Sequence, residues 1–378
     1  MQDVLADLMK VWHAGGTAGV GTVVATFRSA PRPAGAAMVV APDGTASGSV
    51  SGGCVEGDVY ERALAVVETG TPVLERYGVS DDDAFSVGLT CGGIIDIYIE
   101  AVSSASFPEL ADVAADVAAG RAVAVATVID HPDPARVGSR LIVHPDRTRG
   151  TVGSARADAA VADDARGLLA AGRTAVLGYG EDGQRRGEGM RVFVNSHGPR
   201  PRMLVFGAID FAAAVAHQGA FLGYRVTVCD ARPVFATHAR FPTADEVVVD
   251  WPHRYLQEQI EAGAVDGNTA ICVLTHDPKF DVPLLAVALR LPEIGYVGAM
   301  GSRRTHLDRL ERLREAGLTE AELGRLSSPI GLDIGARTPE ETAVSIAAEI
   351  IELRWGGGGE RLSFVAGRIH HEGTPPDC

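Results

Sequence analysis

The feature of this chain that most constrains its fold is an internal repeat. The segment from Gly35 to Gly78 recurs as the segment from Gly138 to Gly180, with a Pro-Asp turn, a Gly-Ser-Val or Gly-Thr-Val strand, a helical stretch and a final Tyr-Gly in the same order. An apolar strand precedes each copy and another follows it, rich in the valine and isoleucine that sheets favour. A repeat of this kind is typical of one supersecondary unit used twice. Residues 1–197 are therefore predicted to form a duplicated, β-rich α+β domain with one helix per copy.

The pattern changes after the linker "NSHGPRP". Apolar strands then alternate with helical segments, in the order RMLVFGA, YRVTVCD, DEVVVD, TAICVLTH and EIGYVGAM. This alternation is typical of an α/β fold with a parallel sheet. Residues 202–355 are predicted to form a Rossmann-like, doubly wound parallel sheet domain. Residues 356–378 begin with four glycines and are predicted to form a flexible tail.

Charge and composition argue against several classes of protein. The formal net charge is −15 at pH 7, whereas a protein that binds nucleic acid needs a basic surface. No apolar run reaches the roughly 18 residues of a membrane span, and the first residues lack the basic and apolar regions of a secretory signal. The five cysteines show neither CxxC pairing nor zinc-finger spacing, so a disulfide framework is not expected. We expect a cytoplasmic protein without a nucleic-acid partner or a membrane span.

Two cysteines belong to the first copy of the repeat alone. Cys54 aligns with Arg156 of the second copy, and Cys91 precedes a Gly-Gly pair where the second copy has a polar segment. Residues that occur in both copies can be explained by shared architecture, but residues that occur in one copy cannot. Cys54 and Cys91 are therefore candidate functional residues.

The residues around Cys54 suggest a reactive thiol. Gly52 and Gly53 lead into Cys54 and a predicted helix, whose Glu56 aligns with Asp158 of the second copy. Gly52, Gly53 and Glu56 are candidate cofactor-binding residues. Unpaired N–H groups at the start of a helix stabilise anions and lower the pKa of a thiol. The alternative is that Cys54 is a small buried residue selected for its fit, as cysteines often are.

The second domain has an incomplete dinucleotide fingerprint. Of the G-x-G-x-x-G glycines only Gly207 is present, since Ile209 and Ala212 stand at the other two positions. A β-branched side chain at the second position obstructs the approach of a pyrophosphate to the backbone. Asp230 follows the second strand. An aspartate at this position either binds a ribose hydroxyl of a dinucleotide or serves as a cap or turn residue.

Further candidate ligand-binding residues lie in loops. Three of these loops end strands on the carboxyl side of the parallel sheet, where open α/β folds bind ligands. A fourth, "SAPRPAG", joins two strands of the first repeat. The candidates in these loops are Arg32, His276, Asp277, Gly301, Ser302, Arg303, Arg304, Asp333 and Arg337. Each also has a structural interpretation, as a solvated charge, a core histidine or part of a helix cap.

Five motifs together resemble the XdhC/CoxI family, the accessory proteins of xanthine dehydrogenase and related molybdenum hydroxylases. They are GSVSGGCVEGDV, VGLTCGGIIDIYIE, LTHDPKFD, YVGAMGSRRTHLDRL and PIGLDIGARTPEETAVSIAAEI, in the order of the family. The resemblance implies a maturation factor rather than a catalyst in its own right. Such a factor binds molybdenum cofactor, as molybdopterin or its dinucleotide form, supports its sulfuration and inserts it into a xanthine-dehydrogenase-type hydroxylase.

The same resemblance implies roles and partners. Cys54 and Cys91 become the catalytic candidates, as thiols that contact molybdenum or receive sulfur, and soft thiolates suit such a centre. The implied partners are the apo hydroxylase, a cysteine desulfurase and a second copy of this chain in a homodimer.

One motif departs from the family pattern. Ile209 and Asp210 replace a glycine and a histidine of the family's turn after the first strand of the parallel sheet. Two alternatives to the maturation factor follow from the residues. One is an NAD(P)-dependent oxidoreductase, or another nucleotide-binding protein, that uses the Rossmann-like domain. The other is a structural partner of the hydroxylase that needs no thiol.

Overall fold

A computed structural model describes residues 2–27, 32–78, 93–275 and 277–366 of the chain. It divides into two compact units, with the boundary between Pro199 and Arg200. The N-terminal unit contains both copies of the repeat, and the C-terminal unit contains the parallel sheet. None of the helices in the described ranges combines the length and apolarity needed to cross a bilayer.

In the described part of the N-terminal unit, each repeat forms a five-stranded antiparallel sheet. The first contains β1 (Ala18–Phe27), β2 (Ala37–Val40), β3 (Ala46–Gly48), β4 (Val73–Tyr77) and β5 (Ile94–Val102), and the second contains β6 (Val123–Asp130), β7 (Arg140–Val143), β8 (Thr148–Gly150), β9 (Ala175–Gly180) and β10 (Gly189–His197). The helices are α1 (Leu5–His13), α2 (Glu56–Thr69), α3 (Leu110–Ala118) and α4 (Ala155–Ala170). The strand orders are β3-β2-β1-β5-β4 and β8-β7-β6-β10-β9, which correspond strand for strand. The predicted duplication is therefore confirmed.

The two repeats meet through a buried cluster that is itself duplicated. Val24 and Tyr98 of the first sheet pack with Ile129 and Phe193 of the second, and each of the four is at most 4% exposed. Val24 and Ile129 are the residues skipped in the pairing of β1 with β5 and of β6 with β10. A bulge turns a side chain away from the regular alternation of its strand. The same irregularity in both repeats thus supplies equivalent residues to the shared core.

The C-terminal unit contains a parallel sheet of order β13-β12-β11-β14-β15-β16 in its described residues. Its strands are β11 (Arg202–Phe206), β12 (Arg225–Cys229), β13 (Glu246–Val248), β14 (Ala270–Val273), β15 (Tyr296–Ala299) and β16 (Leu326–Ser327). Its helices are α5 (Asp210–Phe221), α6 (Pro252–Glu261), α7 (Pro278–Ala288), α8 (Arg303–Glu315), α9 (Glu320–Leu323) and α10 (Pro339–Trp355). The two-residue strand β16 was not predicted, because so short a strand leaves no periodic pattern.

Helices cover both faces of this sheet. Met203 and Val205 of β11 belong to the core under α5 and α10, whereas Leu204 and Phe206 belong to the core under α6, α7 and α8. Successive side chains of a strand point to opposite faces, so a strand buried on both sides is apolar throughout. The predicted doubly wound, Rossmann-like fold is confirmed.

Candidate functional site

The loop of residues 49–55 is wound around the carboxylate of Glu56. Both carboxylate oxygens accept several hydrogen bonds from this loop. The donors are the hydroxyls of Ser49 and Ser51 and the N–H groups of Val50, Ser51, Gly53 and Val55, at 2.5–3.2 Å. Glu56 is thus the acceptor that fixes the loop containing Cys54.

Its environment favours the ionised form of Glu56. Burial alone would raise the pKa of this carboxyl group, but the hydrogen bonds from Ser51 and Ser49 outweigh burial and lower the pKa from 4.5 to about 2. The carboxylate therefore carries a negative charge across the physiological range. The sequence predicts that the N–H groups at this helix start are unpaired and available to an anion. That expectation was wrong for the loop, because Glu56 and Ser51 occupy the N–H groups of residues 50, 51 and 53–55.

Cys54 lies two residues before the first residue of α2 and is half-buried. Its N–H donates to the Ser51 hydroxyl at 2.9 Å, and its side chain packs at the edge of the core of the first repeat. Gly52 and Gly53 are exposed, with φ of +74° and +113° that favour glycine, and nothing lies within 4 Å of where a Cβ would be. The loop therefore presents Cys54 beside a backbone stretch open to solvent. Cys91 lies outside the described residues.

The second repeat has the same carboxylate-to-loop hydrogen bonds but no cysteine in the loop. Asp158 Oδ1 accepts the Thr151 hydroxyl at 3.1 Å and the Val152 N–H at 2.7 Å, as Glu56 does with Ser49 and Val50. The alignment of Glu56 with Asp158 therefore holds in three dimensions. Here, however, the helix begins earlier, because Ser154 caps α4 through the Ala157 N–H. Arg156 accordingly lies in the first turn of α4 and is exposed.

Arg32 pairs with a neighbouring acid. Its guanidinium donates to Asp3 at 2.9 Å, and its side chain is 35% exposed. Arg32 would have to break this ion pair before its whole guanidinium group could bind a ligand.

The turn after β11 differs from a dinucleotide-binding turn. Gly207 has φ +110°, and a Cβ there would lie 3.0 Å from the Thr275 backbone nitrogen, so the close approach of β11 to the end of β14 requires glycine. Ile209 packs against the core under α5. Asp210, in the first turn of α5, is 87% exposed and pairs with Arg240 at 3.1 Å. A carboxylate at this helix start repels the pyrophosphate that such turns bind.

Asp230 is also engaged within the protein. Its carboxylate accepts the Ala208 N–H at 2.7 Å and three hydrogen bonds from Arg232 at 2.8–2.9 Å. Burial opposes ionisation, but the bonds from Arg232 and Ala208 keep the pKa of Asp230 below its usual range. The sequence predicts a hydrogen bond between Asp230 and a ribose hydroxyl. In the structure, both carboxylate oxygens of Asp230 already accept hydrogen bonds from within the protein. This geometry gives no support to the NAD(P) alternative.

Other predicted residues lie at the carboxyl edge of the parallel sheet. Asp277 caps α7 through the Lys279 N–H at 3.1 Å, and Ser302 caps α8 through the Thr305 N–H at 3.1 Å. Gly301 has φ +157° before that cap. Asp333 and Arg337 are exposed in the loop that leads to α10, and Arg303 and Arg304 are exposed in the first turn of α8. In the described residues, the side chains of these three arginines make no hydrogen bond or ion pair with the protein. His276 lies outside the described residues.

Sequence reasoning missed a buried ion pair beneath this edge. Arg309 of α8 donates to Asp281 of α7 at 3.0 Å, and their side chains are 2% and 5% exposed. Arg309 also donates to the Met300 carbonyl at 2.7 Å and the Ser328 hydroxyl at 3.0 Å, and Thr275 donates to Asp281. Burial raises the pKa of Asp281 to about 6, although Arg309 acts in the opposite direction. This network connects the loops that follow β14, β15 and β16.

A sequence signal for this network exists. Asp281 precedes Leu284, Leu285 and Ala288 at helical spacing, so a charged residue lies on the buried stripe of α7. Arg309 stands four residues before the buried Leu313 of α8 in the same way. Two opposite charges on two buried stripes predict a pair.

Comparison with known proteins accounts for both units. A family model described as "XdhC and CoxI family" matches residues 11–78 and 116–180, and one described as "XdhC Rossmann domain" matches residues 203–350. A Bacillus subtilis (strain 168) protein, named as a probable xanthine dehydrogenase subunit, is 30% identical over 335 residues, which are 88% of this chain and 92% of its own. The chain belongs to the XdhC and CoxI family.

Two further relatives agree with this membership. The Escherichia coli (strain K12) protein named "Molybdenum cofactor insertion chaperone PaoD" is 27% identical over 340 residues, which are 88% of this chain and 82% of its own. A crystal structure from Bacillus halodurans, titled as a xanthine dehydrogenase, superposes with a TM-score of 0.68 at 25% identity and covers 92% of this chain and 95% of its own. The fold shared with this crystal structure thus extends over nearly the whole chain.

Proposed function

We propose that this protein binds molybdenum cofactor, supports its sulfuration and inserts it into a xanthine-dehydrogenase-type hydroxylase. The names of two relatives support the proposal, since one is a molybdenum cofactor insertion chaperone and another is a probable subunit of xanthine dehydrogenase. The observation that carries it is the Cys54 loop, which keeps the framework of the repeat but adds a thiol that the second copy lacks.

The N-terminal unit supplies the sulfur chemistry in this proposal. Glu56 holds the loop in one conformation, so Cys54 is presented on a fixed backbone beside exposed glycines. A soft thiolate is a suitable ligand for a molybdenum–sulfur centre, and glycines allow a planar ligand to approach the backbone. We assign to Cys54 the contact with the metal or the transferred sulfur, and we assign the same role to Cys91.

The C-terminal unit supplies anion binding. Ser302, Arg303 and Arg304 at the start of α8, with Arg337 in the loop before α10, offer hydroxyl and guanidinium donors to phosphate oxygens. The network of Asp281 and Arg309 would hold the loops on which these groups are mounted. The phosphate groups of molybdopterin, or of its dinucleotide form, are the anions that we assign to this edge.

The proposal includes three partners. The apo hydroxylase receives the cofactor, a cysteine desulfurase supplies the sulfur, and a second copy of the chain completes a homodimer. In this scheme the protein is a cofactor chaperone rather than an enzyme with a reaction of its own.

Retention of the cofactor tests the proposal. Purified parent protein and the Cys54→Ser variant are incubated with molybdenum cofactor and desalted, and retained molybdenum and pterin are measured. We expect the parent to retain both and Cys54→Ser to retain less of each, with lower activity of the partner hydroxylase in cells. The loop bonds that order this region join Glu56 and Ser51 to backbone N–H groups and serine hydroxyls, so the variant should unfold at the temperature of the parent.

A matched control removes a thiol that a cofactor cannot reach. Cys272 is 0% exposed in the core of the C-terminal unit, so Cys272→Ala should retain the cofactor as the parent does. Equal retention by Cys54→Ser and the parent would show that Cys54 is structural, and the proposed role of this residue would then be wrong.

A further inference from the structure

The second repeat contains a cavity in the position that corresponds to the thiol loop of the first. Its volume is about 660 Å³, and it is bounded by Thr148 of β8, by α4 from Arg156 to Arg166 and by the turn between β9 and β10. Arg156 and Asp158 line it, and these are the counterparts of Cys54 and Glu56. The residues of the β9–β10 turn stand where the first repeat has the segment with Cys91. The duplication has therefore placed residues of different chemistry at aligned positions, Cys54 in a loop and Arg156 in a helix.

The walls of this cavity are fixed by contacts within the repeat. Ser154 at the start of α4 donates to Asp182 of the turn, and the Asp182 N–H donates to Gln184 at 3.1 Å. Gly183, with φ +79°, lies so close to α4 that a Cβ would be 2.5 Å from the Ala157 Cα. A side chain at Gly183 would push the turn away from the helix. The cavity is consequently a depression open to solvent, with walls that are held by contacts within this repeat.

The lining of the cavity is cationic. Three arginines line it, against two aspartates, each of which uses one carboxylate oxygen in contacts with the protein. Asp158 accepts hydrogen bonds from the Thr151 hydroxyl and the Val152 N–H, and Asp163 pairs with Arg185. Arg166 donates through Nε to the His144 carbonyl at 3.3 Å. Arg156 makes no hydrogen bond or ion pair with any residue that the structure describes, which leaves its guanidinium available to a ligand.

We propose that this cavity binds the phosphate group of a phosphate monoester. Guanidinium groups bind phosphate oxygens through paired, charge-assisted hydrogen bonds, and Arg156 and Arg166 offer such donors at one cavity. The cavity is larger than a bare phosphate, and Ala159, Ala160 and Ala162 line it between the charged residues of α4. These small side chains leave space for the organic part of the ester. The inference rests on the duplication and the cavity and is independent of the proposed function.

A site-resolved titration tests this inference. The full-length protein, labelled with ¹⁵N, is titrated with phenyl phosphate and separately with inorganic phosphate, and the amide signals of Ala157 and Gly183 are followed. These amides report the cavity in the second repeat, whereas binding at the C-terminal unit would move the signal of Ser302 instead. We expect both probes to shift Ala157 and Gly183, and phenyl phosphate to bind more tightly.

Two arginine variants complete the design. Arg156→Gln should weaken the binding of phenyl phosphate at least about tenfold, because it removes a charge-assisted bond. Arg173→Gln removes the same charge from an exposed position after α4, outside the cavity, and should leave the affinity unchanged. Equal affinities of the two variants, or no shift of Gly183 in the parent, would overturn the site. Equal affinity of the parent for the two probes would overturn the assignment of an ester.

Discussion

Replacing Glu56 with glutamine isolates the interaction that orders the Cys54 loop. In the parent, one carboxylate oxygen accepts from Ser49, Val50 and Ser51, and the other accepts from Ser51, Gly53 and Val55. A glutamine has one acceptor oxygen and one NH₂ group, which can only donate. Whichever way the amide is oriented, an NH₂ group will face donors of the loop, and those donors lose their partner.

The pKa of Glu56 sets the size of the effect. A pKa lowered from 4.5 to about 2 corresponds to about 3 kcal/mol of preference for the carboxylate in the folded protein. Because the side chain is only half-buried, solvent screening reduces this figure, and we expect Glu56→Gln to lower the free energy of unfolding at pH 7 by about 1–2 kcal/mol.

The effect should depend on pH in a defined direction. The folded pKa is depressed, so the stabilisation is complete above the unfolded value of 4.5 and is lost as the pH falls toward 2. At pH 4 most of the unfolded chains have bound a proton at this carboxyl group while the folded chains have not, which removes up to about 0.8 kcal/mol. The difference between the parent and Glu56→Gln should therefore be smaller at pH 4 than at pH 7.

Tryptophan fluorescence can report the N-terminal unit alone. The chain has three tryptophans, and Trp12 is the one in that unit, so a Trp251→Phe/Trp355→Phe background leaves it as the sole reporter. Urea unfolding at pH 7 and pH 4 then gives the free energies of unfolding.

Asp158→Asn is the matched control, since its retained oxygen can accept both loop bonds. This variant should lower the free energy of unfolding by less than about 0.5 kcal/mol. If Glu56→Gln costs no more than Asp158→Asn, or equally much at both pH values, the role of Glu56 is refuted.

Two further predictions concern buried groups and their accessible counterparts. Burial raises the pKa of the Cys229 and Cys272 thiols to about 12. Iodoacetamide at pH 7.5 should therefore modify Cys54 and leave Cys229 and Cys272 unmodified in the folded protein. Peptide mass spectrometry of the treated protein measures the modification of each cysteine. Early modification of Cys272 would contradict the packing of the C-terminal core. Asp281→Ala should destabilise the C-terminal unit by about 3–5 kcal/mol in thermal unfolding, because it leaves Arg309 buried without its carboxylate. A loss below about 1 kcal/mol would mean that water or another acceptor replaces Asp281 without difficulty.

Much of the candidate site could be predicted from the sequence, but its bonding could not. The alignment of the two repeats identified Cys54 and Arg156 as counterparts, and the strand ends identified the loops with Ser302 and Arg303. The sequence predicts ligand binding by Glu56 and Asp230, whereas in the structure both carboxylates accept hydrogen bonds from backbone N–H groups. A carboxylate near glycines is compatible with either use, and the choice depends on which donors the folded backbone brings within about 3 Å.

The sequence by itself determined the architecture of this protein. The recurrence of one segment required two equivalent sheets, and continuous apolar strands such as that of Leu204 and Val205 required a sheet covered on both faces. These properties follow from side-chain periodicity, which is local along the chain. The tertiary structure alone decided that the Met300 carbonyl and the Ser328 hydroxyl also accept from Arg309, and that Arg156 lines a cavity while Cys54 lies in a loop around Glu56. Hydrogen bonds and cavities depend on distances between segments, and packing fixes those distances only once the elements have come together.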